Sequence, residues 1–174
     1  LRVHVATAYF VPKPHTPFQW EKQDSFEMLE EKQKHLRESV TTKKINISTH
    51  LTPTSFLEGV FARGDRRLSQ VIETAYRNGC TFDSWDDKFN MQGWINAFDS
   101  CNIDPEFYTK RKREYTEVLP WDHINSGIRK DFLIKENEKA KNAQTTPHCR
   151  QQCAGCGSNK LNGGDCDALS SYMV

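Results

Sequence analysis

The feature that most constrains the fold is the proline-rich stretch at residues 9–20, which reads Tyr-Phe-Val-Pro-Lys-Pro-His-Thr-Pro-Phe-Gln-Trp. Each proline disfavours the α region for the residue before it, so the stretch is predicted to be a rigid, extended loop. It follows an apolar segment and carries Lys13 and His15. A stiff loop at the C-terminal end of a strand is where α/β folds place ligand contacts. The alternative is a stiffened connection into the next helix.

The size and charge of the chain exclude some classes of protein. Its 174 residues are enough for one domain with a real core. Lysine and arginine number 24 against 23 aspartates and glutamates, so overall charge gives no reason to expect a nucleic-acid partner. No apolar run approaches the roughly 20 residues of a membrane-spanning helix. The sequence starts in an apolar strand without a signal peptide, and we expect a cytoplasmic protein whose beginning lies upstream.

Hydrophobic periodicity predicts an α+β, mostly helical chain. Residues 2–10 are expected to form a strand buried on both faces, and residues 44–50 a second strand. Residues 23–40 read as a helix between them, capped by Asp24 or Ser25. A strand–helix–strand order favours a parallel pair. Later helices are expected at 54–61 (capped by Thr54 or Ser55), 65–79, around 91–98, 104–108 and 128–140.

Three histidines are candidates for site chemistry. His15 and His50 each follow a predicted strand, so a parallel pair would bring both imidazoles to one rim. His123 follows Asp122 in a second rigid loop at residues 119–124, where a carboxylate can orient an imidazole for acid–base work. Adjacent loop residues usually point apart, so structural packing is the alternative for that pair.

Four cysteines lie in the last part of the chain, at Cys149, Cys153, Cys156 and Cys166. The first three follow a C-x3-C-x2-C spacing, which can close on three corners of an iron–sulfur cluster. Cys166, or His148, can instead complete a tetrahedral zinc site. Since this tail is rich in Gly, Asn and Ser and has no periodicity, the alternative is an irregular, uncoordinated segment.

Two basic clusters have two interpretations each. Arg63, Arg66 and Arg67 surround a Gly-Asp turn at a helix start and suit a phosphate or carboxylate; alternatively they pair with acids on a capped helix. The Lys-Arg-Lys-Arg run at residues 110–113 suits a nucleic-acid backbone, whereas such runs are more often solvated faces.

Several long motifs resemble those of one known family. Phe-Val-Pro-Lys-Pro-His-Thr-Pro-Phe-Gln-Trp at 10–20 is followed by Phe-Leu-Glu-Gly-Val-Phe-Ala-Arg-Gly-Asp-Arg-Arg-Leu at 56–68. Asp-Pro-Glu-Phe-Tyr at 104–108, Leu-Pro-Trp-Asp-His-Ile at 119–124 and Cys-Ala-Gly-Cys-Gly at 153–157 come later in the same order. Together they look like the C-terminal part of the cobalamin-binding-domain radical S-adenosylmethionine proteins.

The resemblance implies an organisation in three segments. Residues 1–50 would be the closing βαβ edge of a partial (βα), TIM-like radical S-adenosylmethionine barrel, 51–141 a family-specific helical extension, and 142–174 an irregular, flexible Cys-rich tail. S-adenosylmethionine, its 4Fe-4S cluster and cobalamin are implied for the full-length protein only. The tail cysteines lie in the wrong place for the family's S-adenosylmethionine-cleaving cluster and would bind an auxiliary iron–sulfur cluster or zinc.

Two functions are therefore expected from the sequence. In the first, the chain is the C-terminal portion of a radical enzyme and lines its substrate cavity through Lys13, His15 and His50. Its partners would be the upstream cobalamin-binding and radical core regions of the same protein, with an RNA or protein as possible substrate, and the fragment alone would be inactive. In the second, it is a metal-stapled module that binds RNA or protein without catalytic activity.

Overall fold

The structure, a computed structural model, describes residues 1–149 and 151–161. This part of the chain is α+β and mostly helical, as predicted. In chain order its elements are β1 (Val3–Thr7), α1 (Phe26–Glu38), β2 (Ile45–Thr49), α2 (Thr52–Arg63), α3 (Leu68–Arg77), α4 (Met91–Ser100), α5 (Glu106–Thr109), α6 (Lys130–Lys141) and a 3-10 turn (Ser158–Leu161). None of the helices described is both long and apolar enough to cross a bilayer.

The chain divides into two compact units. The first, here called the strand unit, comprises Leu1–Pro12 and Glu21–Lys112, and the second, the loop unit, comprises Lys13–Trp20 and Arg113–Val174. The boundary between the units therefore falls inside the proline-rich stretch, after Pro12, and residues 13–20 belong to a different unit from β1. The segment boundaries predicted at residues 50 and 141 concern family organisation, and they stay a prediction.

The two strands pair in parallel, as the βαβ pattern predicts, with Val3 opposite Ile45. Helix α1 is the crossover between them. The prediction that the first strand is buried on both faces is wrong, since Val3 is 43% exposed and Ile45 36% exposed. The physical reason is the small size of the sheet. Among the described residues it consists of β1 and β2, and two strands leave apolar side chains uncovered.

Local capping chemistry sets the starts of the first two helices. Ser25 caps α1, because its side-chain oxygen accepts a hydrogen bond from the Met28 N–H. Helix α2 begins earlier than predicted, after Leu51, and Thr54 and Ser55 lie inside it rather than at its cap. Pro53 is tolerated in the first turn because N–H groups there need no partner within the helix.

Each unit has its own apolar core. In the strand unit the core joins α2, α3, α4 and α5, and its largest members are Phe56, Trp94, Phe98 and Tyr108. In the loop unit it is smaller and consists of Trp20, Leu119, Trp121 and Leu133.

An aromatic pair extends the loop-unit core. Trp20 meets Tyr115 edge to face, with ring centroids 5.0 Å apart. The Tyr115 hydroxyl contacts Asn137 and Glu138 on α6, so this pair also anchors the last helix. The loops that carry the site are therefore held by packed aromatic side chains.

Candidate ligand cavity in the loop unit

Two proline-containing loops, residues 13–20 and 119–124, are joined by one buried side chain. The Trp121 indole N–H donates to the Gln19 side-chain oxygen at 2.7 Å. The same oxygen accepts the backbone N–H of His15 at 3.0 Å. Gln19 is 3% exposed, so this shared acceptor fixes the two loops against each other away from water.

The prediction that the proline-rich stretch is extended is wrong for residues 14–20, which form consecutive turns. Within them the backbone at His15 has an uncommon conformation. Its φ is 56°, in the left-handed region that side-chain-bearing residues rarely occupy. The hydrogen bond to Gln19 and a second one from the Thr16 hydroxyl to the Lys13 carbonyl, at 2.8 Å, hold this turn. The turn directs the His15 imidazole to the wall of a cavity.

The cavity has a volume of about 440 Å³ and lies between the two loops and the start of α6. Its lining divides into polar side chains and an apolar part. The polar side chains are His15, Gln19, Asp122, His123, Asn125, Ser126 and Lys130, and the apolar ones are Ile124, Ile128 and Leu133. Its size is within the range of small-molecule sites.

A salt bridge crosses one side of the cavity. The Lys130 ammonium donates to the Asp122 carboxylate at 3.0 Å and to the Glu117 carbonyl at 3.2 Å. Asp122 also accepts the Leu119 N–H at 3.0 Å. Asp122 thus holds its own turn and Lys130, and His123 is exposed. This agrees with the structural interpretation of these two residues rather than with an acid–base pair.

Two buried polar atoms of the cavity have no hydrogen-bond partner among the described residues: His15 Nε2 and Ser126 Oγ. Ser126 sits in a turn that the Asn125 side chain fixes by accepting the Gly127 N–H at 2.9 Å. Because buried polar atoms usually have a partner, these two atoms are the candidate contacts for a water molecule or a ligand in the cavity.

The other predicted substrate residues lie elsewhere. Lys13 is exposed, in the loop unit near the cavity's first loop. His50 is exposed and follows β2 in the strand unit, where its N–H donates to Thr7 at 3.4 Å and its carbonyl accepts from Gln33 at 3.3 Å. His15 and His50 therefore belong to separate units, and their sharing of one rim stays a prediction.

A second, smaller cavity of about 220 Å³ lies where β1 and β2 end in the strand unit. Its polar lining is already paired, since Lys32 bonds Asp24 at 2.6 Å and Gln33 bonds Thr49 at 2.6 Å. Unlike the loop-unit cavity, it presents no orphaned polar atom in the residues described.

The described tail cysteines do not assemble a metal site. Cys149 and Cys153 are exposed and Cys156 is half-buried, and within the ranges 1–149 and 151–161 no three His, Cys, Asp or Glu side chains are grouped to hold a metal. Cys166 lies outside the described residues. The Cys156 carbonyl accepts the Arg129 N–H at 2.9 Å, so this end of the tail is attached to the loop unit. The metal site stays a prediction.

Of the arginines around the Gly-Asp turn, Arg63 is internal and Arg67 is paired, whereas Arg66 is exposed. Arg63 is fully buried, and its guanidinium donates to the carbonyls of Tyr108 and Arg111 at 2.6 Å each and to that of Glu21. Arg67 binds Asp65 at 2.6 Å. This agrees with the structural interpretation of the cluster rather than with an anion site.

The Asp65–Arg67 pair affects the ionisation of both members. The hydrogen bond from Arg67 holds the pKa of the Asp65 carboxyl below its usual range. The same bond raises the pKa of the Arg67 guanidinium. Both shifts favour the charged forms that make the pair.

The basic run at residues 110–113 is only partly a solvated face. Lys110 pairs with Glu106 at 2.5 Å. Arg113 is 3% exposed, with its guanidinium over the Trp121 ring at 5.0 Å. An aromatic partner explains the burial of Arg113, because a flat guanidinium stacks on a ring face.

Sequence reasoning missed Gln19, Ser126 and Lys130 as members of the cavity. Gln19 lies inside the first rigid loop and Ser126 inside an Asn-Ser-Gly turn, but neither position signals that its side chain points inward. No protein-family model, curated protein or solved structure matches the chain.

Proposed function

We propose that the chain is the C-terminal portion of a radical S-adenosylmethionine enzyme and that its loop unit forms one wall of the substrate cavity. The observation that carries the proposal is the bond between Gln19 and Trp121. It joins two of the motifs on which the resemblance depends, 102 positions apart in the sequence, and a cavity lies between the joined loops.

In this proposal the chain's own residues bind and orient the substrate. S-adenosylmethionine, its iron–sulfur cluster and cobalamin, implied for the full-length protein only, would supply the radical and group-transfer chemistry. The roles within this chain are hydrogen bonding by His15 and Ser126, charge from Lys130, and exclusion of water by Leu133.

The parallel pair of the strand unit supports the barrel part of the proposal. In a closed barrel every strand has a neighbour on each side. The exposed apolar side chains of Val3 and Ile45 are what a severed edge would present. We therefore assign β1, α1 and β2 as the closing edge of a partial barrel, with residues 51–141 as the extension that follows.

The tail would hold an auxiliary iron–sulfur cluster or a zinc ion. Cys149, Cys153 and Cys156 supply three thiolates, with Cys166 as the fourth ligand. Thiolate ligands suit both iron–sulfur clusters and zinc. Since the Cys156 carbonyl accepts the Arg129 N–H within the loop unit, a metal there would stiffen the same unit that carries the cavity.

The enzymatic proposal is tested on the complete natural polypeptide. Its reading frame must encode, upstream of Leu1, a barrel with its own cysteine triplet, and the anaerobically reconstituted protein must form 5′-deoxyadenosine from S-adenosylmethionine. We expect His15→Ala to reduce substrate conversion by about tenfold or more, as loss of a positioning contact does. His35→Ala, at an exposed histidine of α1, is the matched control. A reading frame without that barrel refutes the proposal.

The alternative, an RNA- or protein-binding module, has less support. It depends on the two basic clusters, of which Arg63 and Arg113 are buried. Lys110 and Arg67 are paired with carboxylates at 2.5 and 2.6 Å. Such pairing lowers the positive potential available to a phosphate backbone.

A further inference from the structure

We infer that the loop-unit cavity binds the anionic end of an organic acid, a carboxylate or a phosphate group, through Lys130, Ser126 and His15. The inference deepens the proposed function and rests on it in one respect: it takes this cavity to be the substrate site. Its evidence is an excess of hydrogen-bond donors that the protein itself leaves unused.

Lys130 has donor capacity to spare. An ammonium group has three N–H donors. The Glu117 carbonyl and the Asp122 carboxylate take two of them, at 3.2 and 3.0 Å. The third can reach a ligand in the cavity that Lys130 lines.

Ser126 and His15 add two further groups. Ser126 Oγ and His15 Nε2 are both buried and have no partner among the residues described, and both residues line the cavity. A hydroxyl can donate to an oxyanion, and so can an imidazole whose proton is on Nε2. A ligand oxygen would give both atoms the partner that buried polar groups require.

Asp122 does not oppose an anion as strongly as its charge suggests. Its carboxylate already accepts the Leu119 N–H at 3.0 Å and is neutralised by Lys130 at 3.0 Å. The remaining titratable lining groups are His15 and His123, which are either neutral or cationic. The lining therefore carries no unpaired negative charge.

The N-terminus of α6 adds to the positive electrostatic potential at the cavity. This helix of 12 residues begins at Lys130, and no side chain of its N-cap residue Arg129 closes its first turn. Helix N-termini favour negative charge. The one acid in the first turn, Asp131, is paired with Arg129 at 3.2 Å, so it does not cancel the effect.

The opposite part of the lining selects for a ligand with an apolar body. Leu133 is buried, Ile128 is half-buried and Ile124 is 54% exposed at the mouth. These side chains can cover a short hydrocarbon or ring attached to the anionic group. The structure thus favours an amphipathic organic acid over inorganic ions alone.

The test measures binding by the 174-residue chain. Butyrate, butyl phosphate and the uncharged isostere butyramide are titrated and followed by tryptophan fluorescence and by NMR of the histidine ring protons. We expect saturable binding of one anion, at least about tenfold tighter than of butyramide, because charge-assisted hydrogen bonds exceed neutral ones. The stronger of the two anions identifies the head group.

Variants locate the contact. Lys130→Met is expected to weaken anion binding about tenfold and Ser126→Ala about threefold to tenfold, in line with one lost hydrogen bond each. Lys135→Met, an exposed lysine on the same helix, should bind like the parent chain. Since Lys130→Met also breaks the Asp122 pair, Lys130→Arg serves as the rescue variant and Ser126→Ala as the variant that leaves the pair intact.

Two results overturn the inference: equal affinity for butyramide and the anions, or unchanged anion binding in both Lys130→Met and Ser126→Ala. Failure of the inference can be told from failure of the proposed function. If the full-length protein forms 5′-deoxyadenosine but the cavity shows no preference for the anion, only the inference fails. If the anion binds as expected but the reading frame encodes no radical barrel, only the proposed function fails.

Discussion

Replacement of Arg63 by methionine tests whether this arginine is a structural part of the strand unit. Its side chain is 0% exposed and donates to three backbone carbonyls, those of Glu21, Tyr108 and Arg111. The Tyr108 carbonyl lies in the last turn of α5, that of Arg111 follows this helix and that of Glu21 precedes α1. One side chain thus satisfies acceptors that no intrahelical hydrogen bond reaches. Methionine keeps most of the volume and removes every donor.

The expected loss of stability follows from these bonds. A hydrogen bond to a charged group contributes about 1.5–3 kcal/mol, so three at the lower value amount to about 4.5 kcal/mol. Methionine also avoids the cost of burying a charge, which recovers part of that loss. We therefore expect the free energy of unfolding to fall by about 3 kcal/mol. Arg63→Lys keeps the charge with fewer donors, and its free energy of unfolding should lie between those of the parent chain and Arg63→Met.

The assay is urea unfolding followed by far-ultraviolet circular dichroism. Arg66→Met is the matched control, because Arg66 is exposed on the turn that follows α2, and its effect should stay within about 0.5 kcal/mol. A loss below about 1 kcal/mol for Arg63→Met would refute the structural role, since that is the ordinary effect of a point substitution. It would return Arg63 to the candidates for anion binding.

Three further predictions concern the loop unit, the Asp65 pair and the tail. Trp121→Phe keeps an aromatic side chain but removes the indole donor to Gln19 and part of the buried ring volume. The free energy of unfolding should fall by at least about 1–2 kcal/mol, measured in urea, and butyrate binding should weaken. Asp65→Asn should cost about 1 kcal/mol at neutral pH. The pKa of Asp65 in the folded state is lowered by Arg67. The contribution of Asp65 to the free energy of unfolding is therefore present above its unfolded pKa, near 4, and disappears as pH falls through the folded pKa. A stability difference between Asp65→Asn and the parent chain that persists unchanged in acid contradicts this. Cys153→Ser should lose the metal taken up on anaerobic reconstitution with iron and sulfide, read from absorbance and metal analysis, while Cys101→Ser should retain it; full metal content in Cys153→Ser removes the proposed tail site.

Local patterns were enough to predict several elements of this protein. The parallel pairing of β1 with β2 follows from a strand–helix–strand order, because a short crossover helix returns the chain in the same direction. The Ser25 cap of α1 follows from the chemistry of helix ends. These features depend on residues a few positions apart, which the sequence displays directly.

Other features depend on partners distant in the chain. The exposure of β1 could not be predicted, because an apolar run has the same appearance whether or not other strands cover it. Arg63 and Arg113 have the appearance of surface cations in the sequence, yet both are buried by carbonyls or a ring that long-range packing supplies. A charged side chain is buried only where such partners compensate its lost hydration, and the local composition does not show where those partners are.

The candidate site likewise combines a feature that local sequence predicts with one that only long-range packing decides. The sequence by itself determined that residues 13–20 form a stiff loop bearing His15, because proline restricts the backbone of its neighbours wherever the loop lies. Only the tertiary structure decided that this loop joins the loop unit, where Gln19 meets Trp121 and leaves His15 Nε2 and Ser126 Oγ buried in one cavity. That outcome depends on contacts between residues 102 positions apart, which backbone preferences do not specify and packing does.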